Sequence, residues 1–266
     1  ESIIVAWNLI SKELKKNKTN FIPVDSEHFS IWYGLNNYES RTLDKIYLTA
    51  SGGPFANLAL KNFKKIKPKQ ALNHPNWQMG KKISIDSATM INKVYEVIEA
   101  KNIFNISYKN INILLHSSSY IHAILKFKNG LIKLIAHDTN MKIPIFNTLY
   151  FNQFKQLVSE ELNINILNNL KFNVPDERRF PMIKLLKLLP VKNSLYETVI
   201  VSANDCLVEL FLKEKIGFSS IQKELFKIIK LKEFVKYKKK FPNKAEDILN
   251  LNNYVRLKLL KKVYKT

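Results

Sequence analysis

The hydrophobic pattern of this chain changes once, near residue 150, and that change restricts the fold to two kinds of layer. Before it, short apolar runs typical of strands alternate with helical spacing, whereas from residue 182 onward only helical spacing is present. Alternating elements predict a sheet covered by helices, and helical spacing alone predicts a bundle. The predicted fold is therefore an α/β (α+β) domain with a mixed sheet over residues 1–150, a linker over 151–181 and an all-α carboxyl-terminal helical bundle over 182–266.

Strands are predicted where β-branched and aromatic residues cluster, and helices where apolar residues recur at helical spacing. The predicted strands are 21–24, 46–49, 82–86, 111–115, 123–127 and 131–136. The predicted helices are 2–16, 56–66, 87–101, 182–189, 194–213, 219–232 and 244–264. Residues 73–81 are predicted to form a polar loop, because Pro75 and Gly80 interrupt the pattern there.

The net charge of +21 is the main compositional argument for a nucleic-acid partner. Lysine supplies 39 of the 43 basic residues, although arginine is the residue that reads bases and binds phosphate groups through two parallel hydrogen bonds. We therefore predict no nucleic-acid partner and interpret the lysines as solvated surface. A lysine-driven nucleic-acid binder stays an alternative, which steeply salt-dependent binding would support.

Two absences in the sequence limit the class of protein further. No apolar run approaches the roughly 18 residues that suggest a membrane span, so no membrane partner is predicted. Cys206 is the single cysteine, which excludes an internal disulfide and a multi-cysteine metal site. We therefore expect a reducing compartment.

Residues 74–96 combine a polar loop, a predicted strand and a predicted helix start. Ser87 stands where that helix would begin, and the first amide groups of a helix have no partner inside it, so the position suits an anion. Asn92 and Lys93 precede Glu96 by four and three residues, which places the three on one helix face. The stretch predicts a site for a phosphorylated substrate beside a metal.

Asp25 and Glu27 are two residues apart after a predicted strand, so a period of two would place both carboxylates on one side. Taken alone, such a pair is an ordinary surface feature. Glu96 would add a third carboxylate from another element, and three such ligands can hold Mg²⁺ or Mn²⁺ while leaving positions open for a chelating substrate. His28 is interpreted as a packed histidine rather than a ligand.

Ser51, Gly52 and Gly53 follow a predicted strand, and paired glycines let backbone N–H groups turn toward an anion. By itself this segment is better explained as an ordinary turn, but beside the predicted phosphate donors it becomes a candidate cradle. Trp77 lies at the tip of the polar loop. There it either anchors the loop by packing or closes over a substrate and excludes water.

Three motifs carry a resemblance to one enzyme family. They are Val24-Asp-Ser-Glu-His28, Ser51-Gly-Gly-Pro-Phe55 and, over residues 74–93, His-Pro-Asn-Trp-x-Met-Gly-Lys-Lys-Ile-Ser-Ile-Asp-Ser-Ala-Thr-Met-x-Asn-Lys. With them the chain resembles 1-deoxy-D-xylulose 5-phosphate reductoisomerases from its first residue to its end, most closely over 22–100. The resemblance implies a catalytic α/β domain and an NADPH-dependent oxidoreductase and isomerase of non-mevalonate isoprenoid biosynthesis. Its reaction would convert 1-deoxy-D-xylulose 5-phosphate to 2-C-methyl-D-erythritol 4-phosphate.

The resemblance also implies roles for individual residues. The ligands of Mn²⁺ or Mg²⁺ would be Asp25, Glu27 and Glu96. The catalytic residues would be Glu27, Lys93, Glu96 and His74. The small phosphorylated sugar substrate would be bound by Ser26, Ser51, His74, Trp77, Ser87, Asn92, Lys93 and Glu96. NADPH would be contacted by Glu1, Gly80 and Met141, with Ser119 and His122 at the nicotinamide end and Met79 on the closing loop.

Departures from the family pattern keep a second interpretation open. The family's amino-terminal dinucleotide-binding domain has no counterpart in this sequence, so this chain alone is expected to bind NADPH poorly. Val94 and Tyr95 stand beside Glu96 where the family has glycine and leucine. The alternative is a non-catalytic remnant or fragment that binds a phosphorylated ligand or a partner chain. The resemblance leaves a homodimer open and predicts the cytoplasm of a bacterium or endosymbiont rather than a plastid stroma.

Overall fold

The computed structural model describes residues 1–36 and 38–263, so the last residue of the helix predicted over 244–264 lies outside it. The helices are α1 (Ser2–Lys16), α2 (Ser26–Leu35), α3 (Pro68–Ala71), α4 (Lys81–Thr89), α5 (Ile91–Phe104), α6 (Lys142–Leu149), α7 (Ile164–Asn168), α8 (Leu195–Leu212), α9 (Phe218–Ile228), α10 (Lys232–Val235) and α11 (Ala245–Val263). The strands are β1 (Leu43–Ala50), β2 (Ile111–Leu115), β3 (Ile121–Phe127) and β4 (Ile132–Ala136). Within the described part of the chain, no helix has both the length and the apolar character that crossing a membrane requires.

The four strands form one mixed sheet in the order β2-β1-β3-β4. β1 and β2 are parallel, with Ile46 opposite Ile111, whereas β3 is antiparallel to both β1 and β4. Parallel neighbours need a long crossover, and the connection from β1 to β2 carries α3, α4 and α5. The carboxyl ends of β1 and β2 therefore lie at the same edge of the sheet, where the chain leaves Ala50 to begin the crossover.

Two apolar cores meet at α5. One core covers a face of the sheet, where Ile46 and Leu48 of β1 are fully buried with Val97 of α5. The other core lies among helices and joins α5, through Ile98, to residues such as Leu207 of α8. Because α5 contributes to both cores, it fixes the helical region against the sheet. A mixed sheet followed by a helical region confirms the predicted fold class, while the domain boundaries stay a prediction.

The prediction of a strand over 82–86 is wrong, because this segment lies inside α4. The alternation of apolar and polar residues that suggested a strand is present in the sequence, although Ile83 is 40% exposed while Ile85 is fully buried, so the two isoleucines share no buried face. However, Lys82 and Asp86 form an ion pair at 2.7 Å across one helical turn, a spacing that only a helix brings together. Five alternating residues are too few to separate the two periods, so burial in the tertiary structure decides.

Several other predicted elements differ from those found. Residues 21–24 form no strand, and the helices predicted over 56–66 and 182–189 are 3₁₀ helices at Leu60–Lys65 and Pro181–Lys187. The single helix predicted over 87–101 is divided between α4 and α5. Met90 causes the division, because its left-handed conformation, with φ 66°, ends α4 before α5 begins. A left-handed residue cannot continue a right-handed helix.

Candidate active site

A cavity of about 390 Å³ opens at the carboxyl end of β1. Its wall comes from the start of α2, the segment after β1, the loop over residues 73–80, and α4 and α5. The predicted site residues in the lining are Asp25, Ser26, Glu27, Ser51, His74, Trp77, Met79, Ser87, Asn92, Lys93, Glu96, Ser119, His122 and Met141. Glu1 and Gly80, which were predicted to contact NADPH, lie outside this lining. The carboxylate of Glu1 is instead paired with Lys82.

Three carboxylates meet in the wall of this cavity. Asp25 immediately precedes α2, Glu27 lies in its first turn, and Glu96 lies on α5. One carboxylate oxygen from each lies within 4.8 Å of the other two. The strand argument for Asp25 and Glu27 is wrong, since a helix start brings them together: helical side chains lean toward the amino-terminal end of the axis. A cation with bonds of about 2.1 Å would need only small side-chain shifts to contact all three.

Lys93 bridges two of these carboxylates. Its Nζ atom donates to Glu27 Oε1 and to Glu96 Oε2, both at 2.5 Å. Asn92 Nδ2 donates to Glu96 Oε1 at 2.6 Å, and Ser26 Oγ donates to Glu27 Oε2 at 2.5 Å. Lys93 is 5% exposed and Glu96 is 3% exposed. The ammonium is therefore an integral part of the cluster, because an unpaired charge at this depth is costly.

The three carboxyl groups differ in how readily they ionise. Burial in the cleft and the neighbouring Glu27 carboxylate raise the pKa of Asp25 to about 7, although 47% of its side chain faces open space. Burial and the Glu27 charge also raise the pKa of Glu96 well above its usual value. Burial alone would raise the pKa of Glu27 too, but the Lys93 ammonium outweighs it and holds that pKa below its usual range. Carboxyls crowded around one ammonium form a donor set that fits the predicted divalent cation.

Because Asp25 has a raised pKa, we expect manganese to bind more weakly as the pH falls below about 7. A ligating carboxylate must be deprotonated, so binding releases a proton from Asp25, and the apparent affinity should drop at least about tenfold per pH unit below that pKa because the pKa of Glu96 is raised as well. Isothermal titration between about pH 5.5 and about pH 8 measures the slope. Asp25→Asn is the matched control, which should bind manganese weakly with a flatter pH dependence. An affinity that does not change across this range would contradict the assignment of Asp25 as a ligand.

Ser51 and His74 form a second polar group beside the carboxylates. His74 Nδ1 accepts hydrogen bonds from the backbone amides of Asn76 and Trp77, at 3.2 and 3.0 Å. The proton of the neutral ring must therefore be on Nε2, which donates to Ser51 Oγ at 3.2 Å. Burial lowers the pKa of His74, in agreement with a neutral ring. Because Ser51 Oγ also accepts from the Gly53 amide at 3.1 Å, the Ser51 proton is left to donate to a ligand.

Gly53 allows the turn after β1 to lie directly against α4. Its φ is +63°, and a Cβ atom there would lie 3.2 Å from Ala88 Cα and 3.2 Å from the Ser87 carbonyl oxygen. We expect Gly53→Ala to lower the free energy of unfolding by about 3 kcal/mol, since backbone strain and backbone contact add. Gly130→Ala isolates the strain, because Gly130 has φ +90° with nothing within 4 Å of its added Cβ. Urea unfolding of the two variants should differ by about 1–2 kcal/mol, and equal losses would contradict the close approach.

Ser87 lines the cavity, but it is not at a helix start as predicted. It lies in the last turn of α4, so the argument from free amide groups does not apply to it. The amino-terminal end that faces this region belongs to α5, whose first turn contains Asn92 and Lys93. That end of a helix dipole favours an anion. Ser87 itself can contribute only its hydroxyl.

The loop over residues 73–80 carries Trp77 to a surface made by two histidines. The rings of His122 and His137 are stacked, with centroids 3.7 Å apart, and the rings of Trp77 and His122 meet edge to face with centroids 6.2 Å apart. Burial and the neighbouring His137 lower the pKa of His122 to about 4, so its ring is neutral near pH 7. Trp77 therefore packs against an uncharged ring, and it lines the cavity at the same time.

Some of the cavity wall was missed by sequence reasoning. The missed residues include Thr49, Gln78, Ile83 and Met90. Ile83 lies four residues before Ser87 on α4, a helical spacing that the strand prediction concealed, whereas Met90 reaches the cavity from the left-handed position between α4 and α5. Thr49 Oγ1 donates to the carbonyl oxygen of Ile121, 72 residues further along the chain, so no local pattern could reveal it.

Comparison with known proteins gives matches along most of the chain. A family model described as the 1-deoxy-D-xylulose 5-phosphate reductoisomerase C-terminal domain matches residues 21–104. A second, described as the DXP reductoisomerase C-terminal domain, matches residues 137–258. A 1-deoxy-D-xylulose 5-phosphate reductoisomerase of Pelagibacter ubique is 59% identical over 259 residues, which cover 97% of this chain and 67% of the relative. The same enzyme of Clostridium tetani is 38% identical, with 96% and 65% covered.

Solved structures give the same result at the level of the fold. A DOX-P reductoisomerase in complex with NADPH, fosmidomycin and magnesium superposes with a TM-score of 0.91 at 31% identity, covering 99% of this chain and 68% of that one. The 1-deoxy-D-xylulose 5-phosphate reductoisomerase of Zymomonas mobilis, in complex with NADPH, has a TM-score of 0.85 at 32% identity, with 98% and 66% covered. This chain therefore spans about two thirds of the length of the relatives it matches.

Proposed function

This chain belongs to the 1-deoxy-D-xylulose 5-phosphate reductoisomerase family, and we propose that it takes part in the family's reaction, the conversion of 1-deoxy-D-xylulose 5-phosphate to 2-C-methyl-D-erythritol 4-phosphate. The observation that carries the proposal is the convergence of three carboxylates within 4.8 Å in a cavity that also holds serine, asparagine and lysine donors. Such a site suits a substrate that has both a chelating oxygen pair and a phosphate group.

Asp25, Glu27 and Glu96 hold Mg²⁺ or Mn²⁺ in this proposal. Bound there, the cation would act as a Lewis acid that stabilises negative charge on the substrate's carbonyl and hydroxyl oxygens during the rearrangement. In the metal-free protein Lys93 keeps Glu27 ionised, since its ammonium donates directly to that carboxylate and balances the charge that a bound cation would otherwise balance. Lys93 also places a positive charge beside the substrate's oxygen atoms.

The phosphate group lies among Ser51, Ser87, Asn92 and Lys93, with His74 behind Ser51. The tautomer of His74 makes Ser51 a hydrogen-bond acceptor on the protein side and a donor on the ligand side. Ser26 contacts the oxygenated backbone of the substrate. Trp77 and Met79 cover it and exclude water, which strengthens every electrostatic contact inside the cavity.

NADPH, which two of the solved relatives contain, would supply the hydride for the reduction when bound. Met141 lines the cavity, and in this proposal it lies at the nicotinamide end. Among the residues that the structure describes, no glycine-rich turn joins a strand to an α-helix start, the usual site for dinucleotide phosphates. We therefore assign the described residues no step of the hydride transfer.

Titration of manganese with and without fosmidomycin, the phosphonate bound by two of the solved relatives, tests the proposal. We expect manganese and fosmidomycin each to tighten the binding of the other by about tenfold or more, because the two would bind side by side in one cavity. A parallel assay follows NADPH consumption with the sugar phosphate. Mutual tightening without turnover would support the non-catalytic alternative. Neither binding nor turnover would overturn the proposed function.

We also propose that this protein forms a homodimer in a bacterial cytoplasm. β4 is an edge strand of the sheet, and it exposes Ile132 and Leu134 at 52% and 46%. Edge strands with exposed apolar side chains favour association with a second sheet. Sedimentation velocity decides between monomer and dimer, and Leu134→Lys should shift a dimer that uses this edge toward monomer.

A further inference from the structure

The loop over residues 73–80 is tied to the rest of the cavity by two side chains that act in the same way. His74 donates from Nε2 to Ser51 Oγ at 3.2 Å. Asn76, two residues further on, donates from Nδ2 to Ser119 Oγ at 2.7 Å. Each loop residue therefore reaches a serine on a different segment, and both serines line the cavity.

The orientation of the Asn76 amide is fixed by a second contact. Asn76 Nδ2 lies 2.8 Å from the carbonyl oxygen of Ser117, which can only accept a hydrogen bond. The nitrogen of the amide must therefore face this pair of partners. Because that nitrogen carries two protons and cannot accept, its second N–H is donated to Ser119 Oγ.

Ser119 is consequently left with one unused proton. It is 9% exposed and has a left-handed backbone with φ 54°, which is uncommon outside glycine. Among the described residues, no group accepts a hydrogen bond from its hydroxyl, whose oxygen already accepts from Asn76. Since Ser119 lines the cavity, that proton is available to a ligand acceptor.

We propose that Asn76 is a positioning residue: while the loop is closed, it holds the Ser119 hydroxyl as a donor toward the ligand, as His74 does for Ser51. Closing the loop then adds two oriented donors to the cavity. A ligand acceptor at Ser119 stabilises the closed loop to the same degree that the closed loop stabilises the ligand, because the coupling of two binding events is reciprocal. The inference deepens the proposed function and rests on it for the identity of the ligand.

The first experiment uses the free protein and does not depend on any ligand. The backbone amide of Trp77 is bonded to His74 inside the loop, so its hydrogen exchange reports local unfolding of the loop, which is easier once Asn76 no longer ties the loop to Ser117 and Ser119. Asn76→Ala removes two hydrogen bonds, and we expect exchange at this amide to speed up by about 30-fold. Asn250→Ala, an exposed asparagine on α11, is the matched control and should leave the rate unchanged. An unchanged rate in Asn76→Ala would overturn the proposal.

The second experiment tests whether Asn76 acts through Ser119. The dissociation rate of fosmidomycin, with manganese present, is measured for Asn76→Ala, Ser119→Ala and the double variant. We expect each single change to speed release by about tenfold and the double variant to be little faster than either one. Asn76→Asp should release fosmidomycin faster than Asn76→Ala does, because a carboxylate accepts a hydrogen bond from the Ser119 hydroxyl and turns its proton away from the ligand. Single effects that multiply in the double variant would overturn the proposed coupling.

The two proposals fail in different ways. If the unmodified chain neither binds fosmidomycin with manganese nor turns over the sugar phosphate, the proposed function is wrong, and the test of Asn76 moves to hydrogen exchange in the free protein. There, Ser119→Ala should also speed exchange at the Trp77 amide, and the double variant should exchange no faster than Asn76→Ala. Additive effects on exchange would reject the link between Asn76 and Ser119 without any ligand.

Discussion

Replacing Glu96 with glutamine is expected to weaken manganese binding by about 100-fold or more while the chain keeps its fold. Losing a residue that merely supports a metal ligand costs about 10–100-fold, so losing a ligating carboxylate should cost at least the upper value. Glutamine has the same shape and can still accept from Lys93 or Asn92, which now donate to the two oxygens of Glu96 at 2.5 and 2.6 Å. Isothermal titration of manganese measures the loss, and urea unfolding checks the fold.

Glu209→Gln is the matched control for this experiment. Glu209 is also a helical glutamate paired with cations, Lys213 and Arg256, both at 2.6 Å, but it lies on α8 and not in the cavity lining. The Glu209→Gln variant should bind manganese as the unmodified chain does. If Glu96→Gln folds and its manganese affinity is unchanged, Glu96 is not a ligand and the three-carboxylate site is wrong.

Replacing Lys93 with methionine should separate the two halves of the site. We expect fosmidomycin to bind about 100-fold more weakly, because a hydrogen bond from a charged donor is worth about 1.5–3 kcal/mol. Manganese should bind at least as well as before, since the cation would take over the charge that the ammonium balances between Glu27 and Glu96. In the metal-free protein the same change should lower the free energy of unfolding by about 3–5 kcal/mol, because it leaves buried carboxylates without their partner.

Lys101→Met controls for the loss of a lysine from α5. Lys101 is half-buried on the same helix, contacts Asn193 and does not line the cavity. The Lys101→Met variant should leave the affinities for manganese and for fosmidomycin unchanged. If Lys93→Met lowers the affinities for manganese and for fosmidomycin by the same factor, the division of roles between Lys93 and the carboxylates is contradicted.

The sequence predicted the parts of the fold that depend on neighbouring residues. The strands at 46–49, 111–115 and 131–136 lie within β1, β2 and β4 or overlap them, and the helix at 194–213 corresponds to α8. Long periodic segments carry enough residues to define one period, whereas the five residues 82–86 fit two. That short segment was assigned to a strand, and the error hid the helix face that brings Ile83 to the cavity beside Ser87.

Part of the candidate site was also encoded locally. Asn92, Lys93 and Glu96 needed only the geometry of one helix to meet, and the hydrogen bonds from Asn92 and Lys93 to Glu96 follow from spacings of four and three residues. Asp25 and Glu27 were expected together for the wrong reason. They converge because α2 begins at Ser26, not because a strand precedes them.

The sequence by itself determined which chemical groups are available, which of them share a helix, and the family. Only the tertiary structure decided that Glu27 reaches Lys93 across 66 positions, and that Asn76 reaches Ser119 across 43. Hydrophobic spacing records which face of an element is buried but not which element buries it. The partner is selected by the packing of α2, α4 and α5 around the sheet, a collective free energy that no short stretch of residues contains.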